Sequence, residues 1–344
     1  MLVVRNACED DLDAVLELAR SVGPGMTTLK PDRAALKKRL ALSAASFAGL
    51  VRPREADYLF VLEDLAQQRV AGISAIKAAV GVDEPFYNYR ISASIHSSPV
   101  VATVKRIESL HLTHDLSGAT ELCSLYVHQD YRRGKGGKLL SKSRLLYLTQ
   151  FPDLFSRKVF AEMRGFQNEQ GLSPFWERVG RPFFQMEFHQ ADDLCGSGER
   201  QFIEQLMPRL PLYTHLLGPE ASAAIGQTHP HTAPARRLLE QEGLQFNGYI
   251  DIFDGGPVLE AHVMALRACR DSSLQRVGAG VEVGTTNCLV ATTRRDRFRV
   301  VVADADPAAE VIRLGDALLD ALEGERGMLV RVLPLSPQPR GSEP

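Results

Sequence analysis

The stretch between residues 127 and 144 of this 344-residue chain is rich in glycine and basic side chains, which are groups that bind phosphate. It reads VHQDYRRGKGGKLLSKSR and lies between a predicted strand and a predicted helix. Glycines let backbone amides converge on an anion, and the N-terminus of the helix adds a partial positive charge. The turn therefore predicts a phosphate- or pyrophosphate-binding site. Its candidate residues are Arg132, Arg133, Lys135, Gly136, Gly137 and Lys138.

Two common nucleotide-binding motifs fit this turn poorly. A P-loop requires a serine or threonine after its Gly-Lys pair, but Leu139 follows Lys138 here. A dinucleotide fingerprint requires GxGxxG, whereas the turn has only GKGG before a long helix. The remaining pattern, [R/Q]xxGx[G/A] between a strand and a helix, is typical of acyl-CoA N-acyltransferases. The turn fits this pattern in two registers. The one that begins at Arg133 places Gly136 and Lys138 at the two glycine positions, and the preferred one, from Arg132, places Lys135 and Gly137 there. A solvated basic turn that caps a helix is the alternative interpretation.

The composition excludes several classes of protein. The formal net charge is -2, so the chain lacks the basic excess typical of nucleic-acid-binding proteins. Its cysteines show no CxxC spacing, which argues against a zinc site or a disulfide framework. No apolar run approaches the roughly 20 residues of a membrane span, and residues 1–20 do not resemble a signal peptide. These features predict a cytoplasmic protein without nucleic-acid, membrane or metal partners.

The hydrophobic pattern predicts a mixed α/β domain over residues 1–190. Its elements run strand, helix, hairpin, long excursion, strand, basic turn, helix, strand, helix, strand. The excursion contains a strand after Pro85. Ser173 and Pro174 predict the start of the last helix, and residues 181–188 are the predicted closing strand. A similar helix–glycine–strand sequence recurs in residues 233–253, and a duplicated element is one interpretation of it.

Further units are predicted after residue 190. Residues 191–270 form a second α/β unit, which carries the Gly/Pro-rich turn IGQTHPHT. Residues 271–335 form a small β-rich region around one helix near residues 314–322. The proline- and serine-rich residues 336–344 are predicted to be a disordered tail.

Longer motifs follow one another along nearly the whole chain. They are GxTTLxP (25–31), DYLFVLED (57–64), AGISAI (71–76), EPFYNYR (84–90), HDLSG (114–118), ELCSLYV (121–127), LLSKSR (139–144), AEMRG (161–165), SPFWERVGRPFF (173–184), IEQLMPRLPLYTHLL (203–217), IGQTHPHTAPA (225–235) and YIDIFDGGP (249–257). In this order they resemble the bacterial arginine N-succinyltransferases of the GNAT superfamily. The resemblance implies a GNAT-like α/β (α+β) fold with a mixed sheet, and the repeat would fit a second GNAT-like half.

This resemblance implies an enzyme that transfers the succinyl group of succinyl-CoA to the α-amino group of L-arginine, giving N2-succinyl-L-arginine and CoA. The reaction starts arginine catabolism to glutamate and succinate, and it uses no permanently bound cofactor. Two family positions carry over: Leu125 contacts succinyl-CoA, and His229 is the catalytic proton donor. Because some members work as paired homologous subunits, the resemblance also implies a homo- or hetero-oligomer.

The chemistry of acyl transfer agrees with these two positions. Backbone N–H groups of a splayed strand can stabilise an oxyanion, and Leu125 would contribute its backbone. Histidine suits proton transfer near neutral pH. A structural turn histidine is the alternative for His229, and His231 is a neighbouring candidate. The alternative functions are an acyltransferase for another amine such as ornithine or for another acyl-CoA, and a non-catalytic acyl-CoA-binding subunit.

Both substrates carry charged groups that need partners. A guanidinium is best met by a carboxylate, and Asp251 and Glu162 are the candidates for arginine binding. Asp254 precedes two glycines and fits a turn better. The succinyl carboxylate needs a cation or hydroxyl groups. The candidates for it are Arg90, Arg164, Ser141 and Lys142.

Overall fold

The computed structural model describes residues 1–344 except 23–25, 27, 197–200, 281–283 and 339–344, so most of the predicted tail lies outside the described residues. The strands are β1 Leu2–Asn6, β2 Asp57–Asp64, β3 Arg69–Lys77, β4 Asn88–Ser98, β5 Thr103–Thr113, β6 Thr120–Val127, β7 Lys158–Glu162, β8 Leu212–Tyr213, β9 Gln245–Ile250, β10 Pro257–His262, β11 Ser273–Gly278, β12 Thr286–Thr292, β13 Arg299–Ala305, β14 Val311–Arg313 and β15 Leu329–Pro334. The α-helices are α1 Leu12–Ser21, α2 Arg33–Ala48, α3 Gly136–Gln150, α4 Arg181–Phe184, α5 Phe188–Gly196, α6 Gln201–Leu206, α7 Pro219–Ala224, α8 Ala233–Gln241, α9 Arg267–Asp271 and α10 Asp316–Leu322. None of the described helices is long and apolar enough to cross a membrane.

The strands form one continuous mixed sheet. Its order is β14-β11-β15-β12-β13-β1-β2-β3-β6-β7-β10-β9-β4-β5-β8. The pairs β6–β7 and β11–β14 are parallel, and the other ladders between described strands are antiparallel. The predicted mixed α/β architecture is therefore confirmed, with the basic turn between β6 and α3.

Helices cover both faces of the central strands. Successive residues of a strand point to opposite faces of a sheet, and here they divide between two hydrophobic clusters. On one face, α1 and α2 pack against Leu59 and Ile73. On the other face, α3 packs against Phe60 and Leu259. Because α3 is buried along most of its length, it fixes the position of the basic turn relative to the sheet.

Helix α2 lies outside the elements predicted from the sequence. It begins after Asp32, whose carboxylate accepts hydrogen bonds from the N–H groups of Ala34 and Ala35 at 2.8 and 3.0 Å. It ends at Gly49, which has a left-handed φ of +75°. Both ends thus follow ordinary capping rules. The helix matters for the site because its Arg39 reaches β6.

Residues 181–188 do not form the predicted strand, and this prediction is wrong. A π-helical segment, Trp176–Gly180, continues directly into α4, and α5 begins at Phe188. The helix brings the rings of Trp176 and Phe184 into a stack with centroids 5.5 Å apart, which an extended strand would separate. The first copy of the helix–glycine–strand repeat is therefore absent, and with it the basis for a second GNAT-like half.

The C-terminal region extends the central sheet, because β13 pairs with β1. A buried ionic cluster ties the end of this region to α3. Lys142 Nζ lies 2.7 Å from Glu242 Oε1 and donates to the Leu335 carbonyl at 2.7 Å. Arg267 Nη2 lies 2.9 Å from Glu242 Oε1 and donates to the Pro334 carbonyl at 3.0 Å. The predicted unit boundaries at residues 190, 270 and 335 stay predictions.

Candidate active site

Strands β6 and β7 separate toward their C-terminal ends and leave a split in the sheet. Their parallel ladder contains the pairs Thr120–Val159 and Glu121–Phe160. Beyond these pairs, β6 continues beside β3 as far as Val127, whereas β7 continues beside β10. Backbone groups that would otherwise pair across the two strands therefore face the split, where a substrate can meet them.

A bulge in β6 sets the direction of the backbone at Leu125. The register with β3 shifts between Ile73 and Ala75, and Ser124 has a left-handed φ of +53°. A residue other than glycine is strained in this conformation and keeps it only where its surroundings hold it. Leu125 comes directly after Ser124 and has no partner in the ladder with β3. The predicted contact residue thus lies at a distorted position beside the split.

Two arginines, the half-buried Arg39 and the buried Arg144, hold this bulge from opposite faces of the sheet. From α2, Arg39 donates to Ser124 Oγ at 3.0 Å, and its Nε lies 2.7 Å from Asp57 Oδ2. From α3, Arg144 donates to the Cys123 carbonyl at 3.3 Å. Burial lowers the pKa of Arg144 to about 10, and the neighbouring Cys123 offsets this desolvation only in part. Neither arginine was predicted, because only the fold brings α2 and α3 to the same strand.

Helix α3 begins inside the basic turn, as the anion-binding prediction requires. Its first intrahelical hydrogen bond runs from Leu139 N to the Lys135 carbonyl at 2.8 Å, so the preceding N–H groups are those of a helix N-terminus. A Cβ on Gly136 would stand 3.2 Å from the Leu62 side chain, which explains the glycine there. Gly134, at a φ of +111°, also needs to be glycine. Gly134 was not among the residues predicted for the site, although the GKG spacing is visible in the sequence.

The basic side chains of the turn differ in their contacts. Arg132 Nε donates to the Val127 carbonyl at 3.0 Å, which holds the guanidinium against the end of β6. Lys135 Nζ donates to Asn287 of β12. Lys138 is half-buried. The exposed basic residues of the turn are Arg132, Arg133 and Lys135. Together with the helix N-terminus, they form a positively charged surface beside the split.

His229 is held at the C-terminal end of β7, one of the two strands that flank the split. Its N–H donates to the Arg164 carbonyl at 2.8 Å, and the neighbouring Thr228 forms a β-bridge with Gly165. The ring Nδ1 accepts from the His231 N–H at 3.2 Å, so Nε2 carries the proton of the neutral imidazole. Burial, the charge of Arg164 and then His231 lower the pKa of His229. The ring is therefore neutral at pH 7.

The loop after β9 uses two aspartates to hold its own backbone. Asp251 Oδ1 accepts hydrogen bonds from the N–H groups of Phe253 and Asp254, both at 2.8 Å. Asp254 accepts from the N–H groups of Gly165 and Gly256 at 2.6 and 2.8 Å. The turn role expected for Asp254 is confirmed. Asp251, a candidate for binding the guanidinium, also has one oxygen committed to the turn.

Glu162, the last residue of β7, is the other candidate acid. Its Oε1 accepts from Asn88 Nδ2 at 2.8 Å, and the Asn88 Oδ1 has no hydrogen-bond partner within the described part of the chain. Burial, and next the negative charges of Asp251 and Glu121, raise the pKa of Glu162 well above its ordinary value. Two acceptor side chains are thus placed next to one another and close to further negative charge.

The predicted cations for the succinyl carboxylate have different environments. Lys142 is 1% exposed and lies against Glu242, so it cannot reach the split. Ser141 lies on the same buried face of α3. Arg90 donates to the Tyr249 hydroxyl instead. Of these candidates, Arg164 lies beside His229.

Comparison with known proteins gives full-length matches. The family described as arginine N-succinyltransferase beta subunit matches residues 2–268, and its C-terminal domain matches residues 272–334. The arginine N-succinyltransferases of Escherichia coli and Shigella flexneri are each 44% identical over 337 residues, which is 97% of this chain and 98% of theirs. The structure of arginine/ornithine succinyltransferase subunit AI from Pseudomonas aeruginosa has a TM-score of 0.89 at 35% identity, with 98% of this chain and 99% of that chain covered.

Proposed function

Because this chain belongs to the arginine N-succinyltransferase family, we infer that it transfers the succinyl group of succinyl-CoA to the α-amino group of L-arginine. The products are N2-succinyl-L-arginine and CoA, and the reaction begins arginine catabolism to glutamate and succinate. The chain is a CoA-dependent N-acyltransferase with a GNAT-like fold. The observation that carries the assignment of the site is the split between β6 and β7, flanked by the basic start of α3 and by His229.

For succinyl-CoA, we place the pyrophosphate at the N-terminus of α3 and the thioester in the split. The helix N-terminus and the basic surface around it supply N–H donors and positive charge for the phosphates. The bulge at Ser124 displaces the backbone of Leu125 from the ladder with β3. The Leu125 N–H is our candidate donor to the oxyanion that forms at the thioester carbonyl.

Two protons must leave the amino group of arginine during the reaction. The first leaves when the ammonium becomes the nucleophilic amine, and it is released to solvent. The second leaves as the amide forms. The neutral ring of His229 takes up this second proton and becomes an imidazolium, which then gives its Nε2 proton to the departing sulfur and returns to the neutral form. The hydrogen bond from His231 N to Nδ1 supports this direction, because it keeps the ring proton on Nε2.

For the guanidinium of arginine, Glu162 is the better placed of the two candidate acids. Asp251 spends one oxygen on the backbone of its own turn, whereas Glu162 is bonded to the neutral amide of Asn88. Burial, and next the negative charges of Asp251 and Glu121, raise the pKa of Glu162, and a bound cation would stabilise its charged form. A guanidinium, with its five N–H donors, suits the acceptors of Glu162 and Asn88.

Replacing Arg132 with alanine should weaken succinyl-CoA binding. The guanidinium lies at the edge of the basic surface, and losing one hydrogen bond to a charged group costs about 1.5–3 kcal/mol. Isothermal titration calorimetry with succinyl-CoA measures the change, and Arg106→Ala is the matched control, because Arg106 is an exposed arginine on β5. An affinity equal to that of the unmodified protein would remove Arg132 from the site.

The variant Glu162→Gln should raise the Michaelis constant for arginine by roughly 10- to 100-fold, the worth of one charge-assisted hydrogen bond. The constant for succinyl-CoA should stay nearly unchanged, because the pyrophosphate contacts lie elsewhere. In the unmodified enzyme, the raised pKa of Glu162 has a further effect. As the pH falls through that pKa, the carboxylate is protonated and arginine should bind more weakly.

The variant Asp251→Asn tests the rival acid under the same conditions. If the Michaelis constant for arginine rises in Asp251→Asn but not in Glu162→Gln, Asp251 binds the guanidinium. Unfolding curves of both variants, recorded in urea, identify any loss that comes from the turn itself.

A free-thiol release assay with a panel of acyl-CoAs and amines tests the function as a whole. We expect succinyl-CoA with L-arginine to give the highest kcat/KM, with ornithine included because the relative from Pseudomonas aeruginosa is described as an arginine/ornithine enzyme. A higher kcat/KM for another pair would show that the enzyme's substrates are that acyl-CoA and that amine. No thiol release with any pair would favour a non-catalytic acyl-CoA-binding subunit.

Assembly as a homo- or hetero-oligomer and a cytoplasmic location stay predictions.

A further inference from the structure

The segment after β7 places two polar side chains beside His229. Arg164 accepts the His229 N–H on its carbonyl oxygen at 2.8 Å, and the charge of its guanidinium is close enough to lower the pKa of His229. Arg164 Nη2 also donates to Gln167 Oε1. The contact holds a positive charge and a side-chain amide together at the edge of the site.

The amide nitrogen of Gln167 is a buried donor. The residue is 7% exposed, and its Nε2 has no acceptor among the residues that the structure describes. A buried donor that makes no hydrogen bond costs free energy, so such a group in a native protein is expected to have a partner that the structure does not contain, such as a water molecule or a ligand. Because the Gln167 oxygen already accepts from Arg164, the partner must be an acceptor.

Other cations near the split have partners within the fold. Arg39 binds Asp57, and Lys77 Nζ lies 3.7 Å from Glu121 Oε2. Arg144 is buried and donates to the backbone of β6. The exposed cations of the basic turn belong to the pyrophosphate site proposed above. Arg164 is the cation whose contacts place it beside His229, close to the reacting atoms.

The proposed reaction brings two such charges to this place. The succinyl group ends in a carboxylate, and the amino acid carries its α-carboxylate one carbon away from the attacking nitrogen. We propose that Arg164 and the Gln167 amide nitrogen form a carboxylate-binding subsite beside His229. The proposal rests on the proposed function and adds the residues that recognise the negative end of a substrate. A guanidinium and an N–H side by side match the two oxygens of a carboxylate.

Two pairs of substrates reveal which carboxylate binds. Succinyl-CoA is compared with butyryl-CoA, which has a methyl group in place of the carboxylate, and L-arginine is compared with agmatine, which lacks the α-carboxylate. For each pair, the ratio of kcat/KM values measures the preference for the charged member. The decisive variant is Gln167→Glu, because its carboxylate neutralises Arg164 while preserving their contact.

In Gln167→Glu, we expect one of the two ratios to fall by roughly 10- to 100-fold, the equivalent of a charge-assisted hydrogen bond. If the ratio of succinyl-CoA to butyryl-CoA falls, the subsite binds the succinyl carboxylate. If the ratio of L-arginine to agmatine falls, it binds the α-carboxylate. The variant Arg164→Gln should lower the same ratio of kcat/KM values. Lys158→Gln, which removes a cation on β7 that pairs with Glu260, is the control and should leave both ratios unchanged. Two unchanged ratios in both test variants would overturn the subsite.

Binding measurements keep this test separate from the proposed function. Calorimetry compares succinyl-CoA with butyryl-CoA and arginine with agmatine, and it requires no turnover. If the unmodified protein shows no thiol release, the proposed reaction is wrong. The subsite still stands if the preference for the carboxylate-bearing ligand is lost in Gln167→Glu, and it is overturned if both variants keep that preference.

Discussion

Replacing His229 with alanine should lower turnover by about 10²- to 10⁴-fold, the usual worth of general acid–base help. The loop that carries it is fixed to the end of β7 by backbone contacts, which the substitution leaves in place. Succinyl-CoA should therefore bind normally by calorimetry. His231→Ala is the control, and it should cost much less because His231 reaches the site through its backbone N–H.

The pH dependence of the rate adds a second readout for His229. Burial and the charge of Arg164 lower the pKa of this ring, so an acidic limb of the profile should lie below the ordinary titration range of histidine. Because protonation of the ring stops it from receiving the amine proton, the rate should fall as the pH drops through that value. The limb should be absent in His229→Ala. Near-full turnover of the variant would show that water or the substrate handles the proton, and unfolding would indicate a structural histidine.

The variant Glu242→Gln should lower the free energy of unfolding by about 3–5 kcal/mol, the cost of breaking a buried ion pair by removing one partner. Glu242 contacts both Lys142 and Arg267, and the exposed fractions of the three side chains are between 1% and 3%. Without it, two buried cations face each other in a medium of low dielectric constant. Urea unfolding followed by circular dichroism measures the loss.

Glu240→Gln is the matched control for this measurement. Glu240 lies in the last turn of α8, which ends just before Glu242, and it pairs with Arg236 at the surface, where an i,i+4 pair is worth only about 0.3–0.5 kcal/mol. Equal unfolding curves for Glu242→Gln and the unmodified protein would show that water reaches the cluster.

Local patterns predict much of the fold. The strand DYLFVLED, the hairpin to β3 and the strand–turn–helix around Gly136 follow from hydrophobic alternation and turn residues, and the structure contains them. The closing strand at residues 181–188 was wrong because an aromatic-rich segment fits a buried helix as well as a strand. Here the ring of Trp176 packs along the helix on Phe184, and tertiary contact of this kind overrides local propensity.

The site was predictable only in part. The basic turn is visible as composition, whereas the assignments of Leu125 and His229 depend on the resemblance to a family. Contacts between distant segments were out of reach. The hydrogen bond from Asn88 to Glu162 joins residues 74 positions apart, and the buried Lys142 is paired with Glu242, which follows α8. The charge of a lysine does not show whether it binds substrate or is buried in an ion pair within the core.

The pairing of β13 with β1 also protects the rest of the molecule from association. Without the C-terminal region, β1 would present a row of unpaired N–H and C=O groups, which is a template for adding a strand from another molecule. The carbonyl partners that Leu335 and Pro334 provide for Lys142 and Arg267 would vanish at the same time. A shortened chain ending near residue 270 would thus be prone to aggregate. The C-terminal strands cover an edge of the sheet that would otherwise pair with strands of other molecules.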